Sequence, residues 1–69
     1  MKHTNRLRVV RAEQRVTQGQ VAAKTKSLTQ TRISLIENGY AEPTPAEKKA
    51  IARALRVQVQ DVFPEQVTA

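Results

Sequence analysis

Residues 17–39 read TQGQVAAKTKSLTQTRISLIENG, and this stretch decides the fold. It contains two helix starts twelve residues apart, at Thr17 and Thr29, each preceded by an apolar residue. Gln20 lies three residues after Thr17 and completes a Thr-x-x-Gln capping box, and Gly39 supplies the left-handed backbone that ends a helix. The stretch therefore predicts two short helices joined by a turn, which is the layout of a helix-turn-helix.

The helical period assigns a buried and an exposed side to both helices. The first should end near Thr25, and the second near Asn38. The side chains expected to face inward are Val21, Ala22, Ile33 and Ile36, with Leu35 as a further candidate. With those positions inward, the second helix turns Gln30, Thr31 and Ser34 outward and places Arg32 at the margin of that outward side.

The flanking segments also read as helices. The first helix should run from Asn5 to about Gln14, with Leu7 and Val10 on one face. The sequence Thr44-Pro45-Ala46-Glu47 predicts a further helix start, which combines a capping Thr, Pro at the first helical position and Glu at the third. This fourth helix should bury Ile51, Ala52 and Leu55 and end near Arg56, and residues 57–63 should form a link and a short fifth helix that Pro64 ends.

No stretch alternates as a strand does, so we predict an all-α fold, a compact five-helix bundle. No linker or low-complexity segment divides the chain, so residues 1–69 should form one domain. Its ordered core should span about residues 5–63, and residues 65–69 should be loosely ordered.

Charge and composition narrow the possible partners. Twelve Lys and Arg against six Asp and Glu give a formal net charge of +6, which favours a polyanion such as nucleic acid, although a solvated basic surface would have the same composition. Tyr40 and Phe63 are the only aromatic residues, which argues against single-strand or RNA binding by stacking. Double-stranded DNA is therefore the expected partner.

Several other function classes lack sequence support. The chain has no cysteine, and its single histidine, His3, lies near the terminus, so we expect no metal site. No catalytic motif or phosphate loop is present, and we expect neither enzymatic activity nor a cofactor. No run of about 20 apolar residues and no apolar leader occurs, so we expect a cytoplasmic protein without a membrane partner.

The outward residues of the second motif helix have side chains that can read bases. Gln can form two hydrogen bonds with adenine, Thr can contact thymine, and Arg can pair with guanine or a phosphate. Gln30, Thr31 and Arg32 carry these groups at the start of that helix, although each could equally belong to an ordinary polar face. Gln18 lies where the first motif helix begins, and a helix N-terminus attracts phosphate.

The chain resembles the Cro and lambda-type repressors, also called the XRE family, from about Arg6 to Phe63. Many spaced elements agree in order, and they are Arg11, Val16-Thr17-Gln18, Val21-Ala22, Ile33-Ser34-Leu35-Ile36-Glu37-Asn38-Gly39, Pro43, Ile51-Ala52-Arg53-Ala54-Leu55 and Phe63.

The resemblance implies a lambda-repressor-like bundle in which helices 2 and 3 form the helix-turn-helix. Helix 3 would lie in the major groove, and helix 2 would cross the groove by its N-terminus. It also implies a partly buried ion pair between Arg11 and Glu37. The DNA-facing set that it implies is Gln18, Thr29, Gln30, Thr31, Arg32 and Leu35, with Asn38 and Tyr40 near the phosphates; an exposed Leu35 could touch only a thymine methyl group.

The sequence departs from the family pattern at its turns. The turn at residues 25–28 contains no glycine and is one residue longer than usual. Arg15 and Arg56 stand where the family often has glycine, so either these turns are rebuilt or each carries about 1 kcal/mol or more of left-handed strain. Glu42 lies in the loop near the expected phosphates, where it would weaken binding or point away.

These observations predict a sequence-specific transcriptional regulator, a repressor that binds a two-fold symmetric operator as a homodimer. Candidate interface residues are Val59, Val62 and Phe63, although the last two fit a core position equally well. Two alternatives stay open: an antitoxin-like protein-interaction module with a secondary DNA role, and a non-specific architectural DNA-binding protein.

Overall fold

A computed structural model describes residues 5–64 of the chain. This part of the chain contains five helices and no strand: α1 Leu7–Gln14, α2 Gln18–Thr25, α3 Gln30–Glu37, α4 Pro45–Leu55 and α5 Val59–Val62. α2 packs against both α3 and α4, and α1 and α5 contact α4 and each other. The predicted all-helical, five-helix architecture is confirmed. The expectations for His3 and for residues 65–69 concern positions outside the described residues.

Threonine side chains begin three of the helices, as the sequence predicts. The hydroxyls of Thr17, Thr29 and Thr44 accept hydrogen bonds from the backbone N–H groups three residues later, at 3.0, 3.1 and 3.1 Å. At Thr17 and Thr44 the side chain of the third residue returns a bond to the capping N–H, which completes two capping boxes.

α1 begins two residues later than the prediction of Asn5. The Asn5 carboxamide oxygen accepts a hydrogen bond from Leu7 N at 2.9 Å, and its amide donates to Ile36 O at 2.9 Å. Asn5 therefore precedes the helix and ties its start to the end of α3. The reason is that an Asn side chain competes with helical backbone for nearby N–H groups.

The core lies where the helices meet. Leu7, Ile33, Ile36, Ile51 and Val62 are fully buried. The other members of the core cluster, nearly as inaccessible, are Val10, Val21, Ala22, Leu55 and Phe63.

The burial of apolar side chains decides two expectations, one about the side of α3 on which Leu35 lies and one about the interface role of Val62 and Phe63. Leu35 is 40% exposed, so its assignment to the inward side of α3 is wrong; the period that buries Ile33 and Ile36 turns Leu35 away from the core. Val62 and Phe63 are core residues, so an interface built on their side chains would have to disrupt the fold. Val59 is half-buried against the core.

Three helices end in the same hydrogen-bond pattern, and two of them use arginine where glycine is usual. After α3, Gly39 has a φ of 80°, and its N–H and that of Tyr40 donate to the carbonyls of Ile36 and Leu35, which is a Schellman motif. The same pattern closes α1 and α4 with Arg15 and Arg56 in the left-handed region, at φ 57° and 58°. The turns are therefore not rebuilt, and the left-handed strain is carried.

The glycine-free turn between α2 and α3 is closed by a left-handed lysine and a threonine hydroxyl. Lys26 takes the left-handed conformation, with a φ of 64°, and donates its N–H to Ala22 O at 3.3 Å. The Thr25 hydroxyl donates to the same carbonyl at 2.7 Å and accepts from Leu28 N at 3.1 Å. A side-chain hydroxyl thus ties the turn together and leads the chain into the Thr29 cap.

Relief of this strain should be measurable. We expect Arg56→Gly to raise the free energy of unfolding by about 0.5 to 1 kcal/mol, because the lost strain exceeds the added entropy of the unfolded chain. The matched control is Arg53→Gly, which lies in the same helix and removes the same charge from an exposed helical position; it should lower stability by about 1 kcal/mol. Equilibrium urea unfolding gives both values, and equal destabilisation by the two variants would contradict the explanation.

Candidate nucleic-acid interface

The outward side of α3 forms one wall of a shallow concavity that begins at the N-terminus of α2. Its volume is about 330 Å³. Gln30, Thr31 and Leu35 are exposed there, and Ser34 is half-buried. The residues that line it are Gln18, Gln30, Thr31, Ser34 and Leu35, five of the nine predicted DNA-facing residues. The structure therefore brings the start of α2 and the outward side of α3 together in one surface.

Gln30 and Thr31 differ from their polar neighbours because their side chains make no hydrogen bond within residues 5–64. By contrast, the Thr29 hydroxyl caps α3, and the Ser34 hydroxyl accepts from the Asn38 amide at 3.3 Å. Gln30 and Thr31 therefore retain their full hydrogen-bonding capacity for a ligand.

A glycine makes room for Gln30. A Cβ atom on Gly19, in α2, would lie 3.3 Å from the Gln30 carboxamide oxygen, tighter than ordinary van der Waals contact. Glycine is a poor helix former, so its presence in the first turn of α2 was the available sequence signal for this close approach. Sequence reasoning missed this contact, because the partner lies on another helix.

A buried carboxylate joins three helices behind this surface. The Glu37 side chain is only 1% exposed, and Arg11 binds it with two bonds, Nε to Oε1 at 2.8 Å and Nη2 to Oε2 at 3.0 Å. Gln18 Nε2 donates to Oε2 at 3.3 Å, and Arg8 Nε donates to the same oxygen at 3.2 Å. Arg11 Nη1 also donates to Val16 O at 3.0 Å. One carboxylate thus fixes the end of α3 relative to α1 and to the start of α2.

The charges in this cluster stabilise one another. Burial raises the pKa of Glu37, but the hydrogen bonds from Arg11, Arg8 and Gln18 and the charge of Arg11 outweigh it, so the pKa lies below its ordinary value of 4.5. The hydrogen bond to Glu37 raises the pKa of Arg11. Glu37 is therefore ionised at neutral pH and balances Arg11.

The end of α3 has further polar contacts. Asn38 Nδ2 donates to Ser34 O at 2.9 Å, and Asn38 Oδ1 accepts from Arg8 Nη2 at 3.2 Å. Tyr40 follows in the loop with 67% of its surface exposed. Both residues lie beyond the C-terminal end of α3, and neither is among the residues that line the concavity.

Arg32 has a structural partner that the sequence analysis did not predict. Its guanidinium forms two bonds with Glu47 of α4, Nε to Oε2 and Nη2 to Oε1, both 2.9 Å long, and it also donates to Glu42 O at 3.3 Å. Glu47 Oε1 accepts at the same time from Thr44 N at 2.8 Å. The hydrogen bond with Arg32 lowers the pKa of Glu47, and that with Glu47 raises the pKa of Arg32. Arg32 thus links the start of α3 to the cap of α4 and does not line the concavity.

The described part of the chain has neither a metal-binding cluster nor a membrane-spanning helix. Among residues 5–64, no three His, Cys, Asp or Glu side chains are grouped so as to hold a metal ion. None of the helices there is long and apolar enough to cross a membrane.

Comparison with known proteins identifies the family. A family model described as helix-turn-helix, of the Cro and XRE type, matches residues 7–62, which span α1 to α5. The chain belongs to this family. Searches of curated proteins and of solved structures each gave no significant match. Membership makes the chain a DNA-binding domain of the transcription-regulator type, in a family that is not normally enzymatic.

The free energy of unfolding of this helix-turn-helix domain should depend on pH through the ionisation of Glu37. Because its pKa is lowered in the folded state, the unfolded state binds more protons in the pH range between that lowered pKa and the ordinary value of 4.5. The stability from Glu37 is therefore present above its ordinary pKa and is lost as the pH falls through the lowered one. We expect Glu37→Gln to cost about 3 kcal/mol at neutral pH, the lower end for a buried pair, and progressively less in acid.

Chemical denaturation at several pH values measures this difference. Glu13→Gln is the control, because Glu13 is exposed and makes no ion pair among the described residues. A wild-type advantage over Glu37→Gln that stays constant from neutral to acid pH would exclude the proposed charge linkage.

The Arg32–Glu47 pair should appear as energetic coupling. We expect Arg32→Ala to destabilise the wild-type protein more than it destabilises the Glu47→Gln variant, because the charged partner is already absent there. Arg53→Ala, an exposed α4 arginine with no ion pair within residues 5–64, should have the same effect in both backgrounds. Urea unfolding of the four proteins in the cycle gives the coupling, and additive effects of Arg32→Ala would show that the pair contributes no stability.

Proposed function

We propose that this chain is a sequence-specific, double-stranded DNA-binding transcription regulator, a repressor, that reads the major groove with α3. The observation that carries the proposal is the division of α3 into two sides. Ile33 and Ile36 are fully buried, whereas Gln30 and Thr31 are exposed and their side chains make no hydrogen bond within residues 5–64. Base recognition requires a helix whose apolar side is held against the core and whose N-terminal turn exposes polar side chains that are free to form hydrogen bonds.

Base contacts are assigned to the side chains that line the concavity. Gln30 suits the two hydrogen bonds that adenine offers in the major groove, and Thr31 can contact either a polar base edge or a thymine methyl group. Ser34, which is half-buried, provides a hydroxyl among the residues that line the concavity. Leu35 is exposed there and can only make an apolar contact, for which the thymine methyl is the available group.

Backbone contacts are assigned to the residues around the concavity. Gln18 begins α2, where the unpaired backbone N–H groups and the helix dipole favour a phosphate. Thr29 at the start of α3, and Asn38 and Tyr40 after its end, lie at the two ends of the reading helix. These four residues would set the position of α3 in the groove without carrying sequence information.

Arg32 is assigned a positioning role, in place of the base or phosphate contact that the sequence suggested. To reach DNA, its guanidinium would have to give up two 2.9 Å bonds to Glu47 and the bond to Glu42 O. In its present place it fixes the N-terminal turn of α3, where Gln30 and Thr31 lie.

A homodimer would supply the specificity that a single short helix lacks. Two copies could read half-sites one DNA turn, about 34 Å, apart on a two-fold symmetric operator. Val59 is the interface candidate that remains, because Val62 and Phe63 belong to the core. The corresponding location is the cytoplasm, at the nucleoid.

Selection of bound sequences from a random double-stranded pool tests the proposal. We expect paired half-sites, and we expect Gln30→Ala to weaken binding to the best site by about 1 to 3 kcal/mol and to relax one base preference. Gln60→Ala is the matched control, because Gln60 is exposed on α5 and does not line the concavity. Arg32→Ala in the same selection should leave the preferred bases unchanged.

Three outcomes would count against parts of the proposal. No binding to duplex DNA at low salt would overturn the DNA-binding role and favour a protein-interaction module. Tight binding without any enriched sequence would favour an architectural role. Relaxation of one base position by Arg32→Ala would return Arg32 to the reading residues.

A further inference from the structure

Arg8 is an exposed cation whose present contacts do not require its charge. Glu37 is already balanced by Arg11, which occupies both carboxylate oxygens at 2.8 and 3.0 Å. Arg8 adds only two longer bonds, Nε to Glu37 Oε2 and Nη2 to Asn38 Oδ1, both 3.2 Å, and its side chain is 70% exposed. The hydrogen bond from Arg8 helps to lower the pKa of Glu37, but it does so less than the one from Arg11. The cluster therefore carries one surplus positive charge.

The position of Arg8 gives that charge a possible use. Arg8 Nε and Gln18 Nε2 donate to the same oxygen of Glu37, so the guanidinium lies beside a residue that lines the concavity. Its other bonded neighbour, Asn38, lies just past the end of α3. Arg8 thus stands between the start of α2 and the end of α3, at the rim of the proposed reading surface.

The guanidinium also keeps donors available. Within residues 5–64 only Nε and Nη2 of Arg8 have partners, so Nη1 and a second N–H of Nη2 make no hydrogen bond to this part of the chain. A phosphate is bound well by two parallel N–H groups of one guanidinium. If Arg8 turned from Glu37 to a phosphate, Glu37 would keep its bonds with Arg11 and Gln18, so the exchange leaves no buried carboxylate oxygen without a partner.

We propose that Arg8 is a further DNA-binding residue, which holds a backbone phosphate beside the bases contacted by α3. The inference rests on the proposed function, and it adds a contact from α1, a helix that lies outside the helix-turn-helix. Because a phosphate contact is the same on every sequence, Arg8 should contribute affinity without base preference.

Salt titration of DNA binding tests this role. We expect Arg8→Ala to reduce the slope of log affinity against log salt concentration by about 0.9, the value for one phosphate contact on B-DNA. Raising the salt concentration fourfold should weaken DNA binding by both proteins, but the factor by which Arg8→Ala is weakened should be about three times smaller than the factor for the wild type. The reduction in slope caused by Arg8→Ala should be the same on the preferred site and on a scrambled duplex.

Arg53→Ala is the matched control, since it removes the same charge from an exposed arginine. Arg53 lines a separate concavity with Lys24 and Arg56, at the other end of α2 from Gln18. Its slope should stay at the wild-type value. Arg8→Lys, which keeps the charge, should restore most of the slope. Arg8→Gln, which removes the charge but keeps an amide donor near Glu37, serves as the second variant should Arg8→Ala unfold, and it should lower the slope by the same amount.

The outcomes separate this inference from the proposed function. Equal slopes for wild type, Arg8→Ala and Arg53→Ala would overturn the role of Arg8 while leaving DNA binding intact. A change in the preferred bases with an unchanged slope would show that Arg8 acts only by positioning Glu37 and Asn38. Absence of duplex binding by the wild type would overturn the proposed function itself.

Discussion

The buried carboxylate of Glu37 is the constraint on which the rest of the structure depends. It lies at the end of α3 with 1% of its side chain exposed, and α1 and the start of α2 both donate hydrogen bonds to it. A charge removed from water is tolerated only when its partners satisfy it, so the positions of Arg11 and Gln18 are fixed by the same requirement. The angle between the two helices of the motif follows from this cluster and from the apolar side of α3.

A second ion pair restrains the other end of the same helix. Arg32 lies in the first turn of α3, and its partner Glu47 also completes the capping box of α4. α3 is thus tied to α1 and α2 at its C-terminal end and to α4 at its N-terminal end. With its back buried against the core, the helix has one side left for a ligand, and that side is held in a fixed orientation before any DNA arrives. Such preorganisation reduces the entropy lost on binding.

The sequence predicted the local structure better than the contacts between helices. The capping boxes at Thr17 and Thr44, the glycine stop at Gly39 and the period of Ile33 and Ile36 are local signals, and each has its cause within one or two turns of helix. The pairing of Arg11 with Glu37 was implied only by family resemblance. The pairing of Arg32 with Glu47 and the approach of Gln30 to Gly19 join residues on different helices, and no pattern within either segment specifies them.

Contacts between helices also distinguish the polar residues of the candidate surface from one another. Polarity and helical spacing gave no reason to prefer any one of the candidate DNA-facing residues in and around α3, which are Thr29, Arg32, Ser34, Asn38, Gln30 and Thr31. Their hydrogen bonds now separate them: the first four already cap, brace or close the ends of α3, whereas the last two make none within residues 5–64. An arginine or amide side chain that is already bonded must give up bonds to read a base, and the bonded hydroxyls of Thr29 and Ser34 have only part of their hydrogen-bonding capacity left. An unbonded exposed side chain exchanges only water. Under the proposed function, Gln30 and Thr31 are therefore the residues that would discriminate between bases at the lowest cost to the fold.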